Sequence, residues 1–232
     1  MSETQIGGDP TYREAVIDLL GVLAYAELTA FQRLSEDASL APTLEDKAAL
    51  AEMAVAEFGH FQLLHRRLVD MGADPEEAMR PFATALDAFH HQTPPHDWLE
   101  GLIKAYVGDG FAMDFYREVA AYVDEDTRNL VLEVLADTGH AQFAVDRVCA
   151  AIERDSKLAG RLALWARRLV GEALSQAQRV AAERDALSAL LVGGVDRPES
   201  SESNADLAEV GRMFARLTSA HTKRVRTLGL TP

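Results

Sequence analysis

Two short stretches carry the same pair of reactive side chains. "AEFGHFQLLH" (56–65) holds Glu57 three residues before His60, and "ADTGHAQFAV" (136–145) holds Asp137 three residues before His140. Carboxylate oxygen and imidazole nitrogen together suit iron or manganese and do not exclude zinc. Residues three and four apart share one side of a helix, so each acid–histidine pair can grip one ion. Two more acids sit in otherwise apolar surroundings: Glu27 in "AYAELTAF" (24–31) and Asp109 in "AYVGDGFAM" (105–113). A lone acid–xx–histidine pair means little. With 37 acids and 7 histidines, chance supplies roughly one such pair. Asp87 and His90 form another, read as surface, as are His91 and His96 around a proline-rich turn. The signal is the set of six.

The elements that must position these groups read as helices throughout. Period-2 alternation is absent, and β-branched residues never cluster over a strand length. Helix 1 is expected from about Thr11 to Asp37. Helix 2 starts after an N-cap at Thr43, followed three residues later by Asp46, and ends near Gly72. A long connection, 73–96, contains Pro75, Pro81, Pro94 and Pro95 and a short helix around 76–90. Helix 3 runs to about Asp124, and helix 4 from about Asp126 to Arg154. Four long helices with one long crossover between helices 2 and 3 describe a four-helix bundle of two antiparallel hairpins. Residues 156–192 extend the unit with a fifth long helix. "GGVDRPESSESNAD" (193–206) is a polar break, and a last helix, about 206–228, packs on the bundle.

The polar residues fall on the inward stripes. Positions 16, 20, 23, 27, 31 and 34 share a face in helix 1; positions 50, 53, 57, 61, 64 and 68 do so in helix 2. Positions 99, 102, 106, 109, 113 and 116 share a face in helix 3; positions 130, 134, 137, 141, 144 and 148 do so in helix 4. Glu27, Glu57, Asp109 and Asp137 thus point into one interior, with His60 and His140 beside them. The two hairpins repeat this order, with thirty residues from Glu27 to Glu57 and twenty-eight from Asp109 to Asp137. An unpaired buried carboxylate costs several kcal/mol. The six groups include no Lys or Arg, so two divalent cations would balance four carboxylates. On helix 3, Asp114 competes with Asp109 for the ligand position; otherwise Asp114 and Glu118 read as a solvated face. Tyr25 and Tyr106 precede two of the acids and read as core packing.

On these residues the chain resembles the ferritin-like superfamily over about residues 11–155. Within it, the chain is most similar to the tRNA 2-methylthio-isopentenyladenosine hydroxylases. The resemblance implies two irons, manganese being the alternative, held by Glu27, Glu57, His60, Asp109, Asp137 and His140. It implies dioxygen and an external electron donor as partners, and hydroxylation of an unactivated carbon. By the same analogy, Glu57 or its counterpart bridges the irons. The chain departs from that family by offering Asp109 and Asp137 where glutamate is usual, and aspartate is shorter by roughly 1.5 Å. The alternatives are a ferritin-like iron-oxidising or metal-binding protein without an organic substrate, and an inactive helical interaction protein.

Composition bounds the partners. A net charge of −14 disfavours a tRNA substrate, because phosphate binding relies on clustered Lys and Arg. Two local exceptions, "RLALWARRLV" (161–170) and "HTKRVRTLG" (221–229), read as solvated faces and a helix C-terminus. No run of about 18 apolar residues exists, the N-terminus lacks a signal-peptide core, and one cysteine, Cys149, precludes an internal disulfide. A cytoplasmic protein without a membrane partner is expected, and a homodimer is compatible with the sequence.

Overall fold

The computed structural model describes residues 10–135, 140–191 and 203–232; side chains of residues 140, 191 and 203–210 lie outside that description. The described residues are all-α. In chain order they form α1 (Pro10–Asp37), a 3-10 turn (Ala38–Leu40), α2 (Leu44–Asp70), α3 (Pro75–Gln92) and α4 (Trp98–Ala120). Then follow α5 (Glu125–Val134), α6 (His140–Arg154), α7 (Leu158–Glu183), α8 (Asp185–Leu191) and α9 (Ser203–Thr227). Among the described residues no helix is long and apolar enough to cross a membrane.

Side-chain caps set the helix starts. Thr43 accepts from the Asp46 backbone N–H at 3.1 Å and donates its hydroxyl to the Asp46 carboxylate at 2.7 Å. Asp74 caps α3 ahead of Pro75, Asp97 caps α4 through the Glu100 N–H, and Asp124 caps α5 through the Thr127 N–H. Each satisfies an orphan donor, and acids in each first turn favour the positive end of the helix dipole.

Helices α1 and α2 pair along their length, with the Arg13 guanidinium near the start of α1 donating to the Met71 carbonyl just past α2. The crossover is itself mostly helical: α3 packs on α1 and α7. A Cβ at Gly21 would stand 2.2 Å from the Ala78 carbonyl oxygen, so only glycine lets α1 and α3 approach this closely. Helix α4 packs against α6, α7 and α9.

Two apolar clusters fill the interior, and their boundary falls at one level on helix after helix. On α1, Ala24 belongs to the first cluster and Leu34 to the second; on α2, Leu64 and Ala54; on α4, Phe111 and Val107. Leu135, which caps α5, belongs to the first and Ala144 of α6 to the second. Glu27, Glu57, His60 and Asp109 all occupy the intervals between these residues. The seam of the core is where the polar groups sit.

Helix 4 is described in two parts, α5, which ends at Val134 with Leu135 as its C-cap, and α6, from His140; residues 136–139 lie outside the described residues. Helix 5 divides at Arg184, whose backbone leaves the helical region (φ −129°, ψ 85°). Its guanidinium there reaches across to the buried Asp18 on α1. Of the polar break at 193–206, residues 193–202 lie outside the described residues, and residues 203–206 already belong to α9.

Candidate metal centre

Glu27, Glu57 and His60 converge, each offering a ligand atom within 4.8 Å of the other two. Their stripes dictate this. Glu27 follows Leu20 and Leu23 on the inner face of α1, and Glu57 lies between Met53 and Leu64 on that of α2, all four apolar residues being buried. His60 is one turn beyond Glu57. Its Nδ1 stands 3.5 Å from a carboxylate oxygen of each acid. These separations are long for hydrogen bonds, and Glu27 Oε2 is enclosed with no hydrogen-bond partner.

The trio is largely buried and short of positive charge. Burial first, then the contact with Glu27, raises the Glu57 carboxyl to about 8, against the downward pull of His60. Contacts with Glu27 and then Glu57 raise the His60 imidazolium to about 10, against burial. Left alone, the cluster neutralises itself by holding protons. A divalent cation would replace them, since carboxylate and imidazole bind metal deprotonated. An enclosed oxygen without a partner, a mixed O/N donor set and proton retention all fit such a cation.

The trio opens onto a cavity of about 400 Å³, walled mainly by apolar side chains such as Met53, Phe111, Met113, Phe115 and Leu169. Tyr106 and Tyr116 also line it. Burial first and then the Glu27 charge hold the Tyr116 hydroxyl well above its ordinary value, so it stays protonated. Tyr25 is engaged elsewhere, donating to Asp87 on α3 at 2.8 Å.

The other sequence candidates divide. Asp109, half-buried, lines the same cavity but is not one of the three groups within 4.8 Å. Asp137 lies outside the described residues; His140 opens α6, its side chain outside the description. Asp114 and Glu118 are not a solvated face. Arg224 of α9 binds the Asp114 carboxylate, and Arg216 grips Glu118 through two hydrogen bonds of 2.9 and 2.7 Å. The Arg224 side chain lies over a glycine of α4: a Cβ at Gly110 would lie 2.4 Å from Arg224 Cδ.

Basic groups outside the six candidates, Arg33, Lys104 and Arg224, also reach the cavity wall. Their places in the sequence do not mark them as inward, because a long basic chain can lie along apolar surface and carry its charge elsewhere. His90, assigned to the surface, also lines the cavity, with Nδ1 enclosed and unpartnered. A signal for it was available. His90 follows Leu86 by four residues and Phe82 by eight, and Phe82 is fully buried while Leu86 packs on the core.

Residues 10–194 match the family described as "Ferritin-like domain, actinomycetes", and the chain belongs to that family. Among solved structures it is similar to "Protein 19 with aldehyde deformylating oxidase activity from Synechococcus", at 19% sequence identity and a TM-score of 0.63. The similarity covers 95% of this chain and 97% of that one. No curated protein matches the sequence.

Proposed function

We propose that the chain is a di-iron oxidoreductase that uses dioxygen and an external electron donor to oxidise a small, largely apolar organic molecule, with hydroxylation as the reaction type. One observation carries this reading: a buried Glu27–Glu57–His60 trio, with an unpartnered oxygen, faces a cavity large enough for a small ligand. Glu27, Glu57 and His60 would hold one ion. Asp109, Asp137 and His140 are the proposed ligands of a second. Iron supplies the one-electron chemistry toward dioxygen that side chains lack. The chain's own residues do the rest. Phe111, Met113 and Phe115 keep water from the ligand space, and Tyr116 stays a protonated donor close to Glu27.

A small substrate is favoured over tRNA by where the basic side chains go. In the 161–170 stretch, Arg161 binds Asp97 and Glu100, Arg167 donates to the Thr231 carbonyl, and Arg168 donates to the Gln92 carbonyl. In the C-terminal stretch, Arg224 is bound to Asp114. These residues hold the fold together and leave less charge for phosphate. The oxidase activity on an aldehyde in the name of the Synechococcus neighbour is likewise chemistry on a small molecule.

The test is iron loading under argon, followed by oxygen uptake with a reductant and a panel of small apolar compounds. Two irons per chain, and oxygen consumption coupled to an oxygenated product, are expected. Less than one iron per chain overturns the metal reading. Oxygen consumption without an organic product leaves an iron-oxidising protein in its place.

A further inference from the structure

The cavity has a second polar end. Arg33 and Asp37 reach it from α1, His90 from α3 and Lys104 from α4. Lys104 is only 6% exposed. Its ammonium donates to the Thr93 carbonyl at 2.7 Å and lies 5.5 Å from the centre of the Phe89 ring. Of its three protons, one is thus used. Arg33 sends one terminal nitrogen to Glu36 at 2.7 Å, while its Nε is enclosed with no partner. His90 Nδ1 is enclosed and unpartnered as well.

Among the described residues Asp37 is the carboxylate at this end, and it lies along α4: a Cβ at Gly101 would be 3.1 Å from its Oδ2. Burial raises its carboxyl, and Lys104 draws it back down. Burial, then Lys104 and Arg33, lower His90 to about 3, so its ring is neutral and Nδ1 can carry a proton. Arg33 Nε and the two remaining Lys104 protons, with His90 Nδ1 in the tautomer that carries its proton there, thus face a single carboxylate, and Arg33 Nε and His90 Nδ1 are bonded to no acceptor. Buried donors without acceptors are costly, and an incoming anion would satisfy several at once.

We propose that this end of the cavity binds the carboxylate of a straight-chain organic acid, whose apolar tail runs along the cavity toward Glu27, Glu57 and His60. Six residues of α1 separate Glu27 from Arg33, about 9 Å of helix rise. Three bonds of an extended chain span roughly 3.5 Å, so about eight bonds cover that distance. The favoured ligand is an acid of about eight carbons. The polar head is thus held away from the metal ligands and the tail is brought to them. Oxidation at the tail rests on the di-iron reading; recognition of the carboxylate does not.

The experiment compares octanoate with octan-1-ol, which has the same chain and no charge. Both are titrated calorimetrically into the full chain, as purified and again after iron loading under argon. Octanoate should bind at least about tenfold more tightly in both forms, as expected for a charge-assisted head group. The double variant Arg33→Leu/Lys104→Met should reduce that preference to within about twofold, chiefly by weakening octanoate. Equal binding of the two ligands to the wild-type chain, no binding of either, or a preference that survives in the double variant each overturns the proposal. The wild-type comparison decides the matter even where the double variant fails to fold. A chain that takes up no iron but still prefers octanoate refutes the di-iron reading alone. A chain that loads iron and shows no preference refutes the carboxylate site alone.

Discussion

The two hairpins place acids in the same order along their helices but compensate them in different ways. In the α1–α2 half, Glu27, Glu57 and His60 have mainly one another, and burial raises the Glu57 carboxyl to about 8. In the half built on α4, the acids five and nine residues beyond Asp109 have arginines. Asp114 is bound by Arg224, with Arg117 at 3.9 Å, and Glu118 by Arg216. Arg216 and Arg224 come from α9, outside the four-helix repeat. A carboxylate neutralised by a built-in guanidinium has no need of a cation. One left with protons is ready to exchange them for a metal. The acids of the trio are thus left to hold protons, while Asp114 and Glu118, outside the repeated set, form a structural lock beside the cavity.

The largest effect that would break this contrast is on metal retention. Glu57→Ala removes a buried oxygen donor from the trio and should weaken iron binding more than about 100-fold, beyond the usual cost of losing an outer-sphere partner. Asp114→Asn should leave iron binding within about threefold, because its partner is an arginine. Metal analysis after dialysis against buffered ferrous ion checks both variants. Equal loss in the two would mean that Asp114, not Asp109, serves the metal from α4.

A smaller effect sharpens the structural side. Arg224→Leu leaves the Asp114 carboxylate, about four-fifths buried, without its main partner. It should cost about 2–3 kcal/mol, seen as a lower denaturant midpoint. Removing both partners, in Arg224→Leu/Asp114→Asn, should recover part of that loss, since an uncompensated charge costs more than an absent pair. Additive losses in the double variant would show that Arg224 acts by packing over Gly110 and not through charge.

The trio was legible in the sequence because a helical stripe is a local property. Glu27 and Glu57 interrupt apolar faces at the right period, and His60 follows by one turn. The all-α class and the crossover after α2 were legible for the same reason. What escaped detection was set by tertiary packing. Helix 5 stops at Arg184, where an ion pair with Asp18, 166 residues away, joins α7 to α1. Nothing in the sequence points Arg33, Lys104 or Arg224 to the cavity, because the charge of a long side chain is not located by its Cα. The charge balance drawn from the six polar groups alone was incomplete for that reason: it counted the acids on the stripes and omitted the bases that reach in from beside them.

The smallest predicted effect concerns the joint between the halves, where no α9 arginine takes part. The Tyr12 hydroxyl at the start of α1 donates to Asp124 Oδ2 at 2.7 Å and accepts from the Asp124 N–H at 2.7 Å. Burial alone would raise the Asp124 carboxyl. The Thr127 backbone N–H, the Tyr12 hydroxyl and the Thr127 hydroxyl outweigh it and hold the group below the ordinary carboxylate value of 3.8. A carboxyl lowered in this way stabilises the fold fully above its unfolded value, and the contribution is lost as the pH falls through the folded one. Tyr12→Phe keeps the ring packing and removes one donor, so it should cost about 1 kcal/mol at pH 7. Denaturant midpoints at pH 7 and pH 2.5 should show the gap between wild type and variant narrowing in acid, as protonation of Asp124 removes the contribution of its charge. A gap of equal size at the two pH values would mean that the hydroxyl's bond to the Asp124 backbone, and not its bond to the carboxylate, ties α1 to the second half.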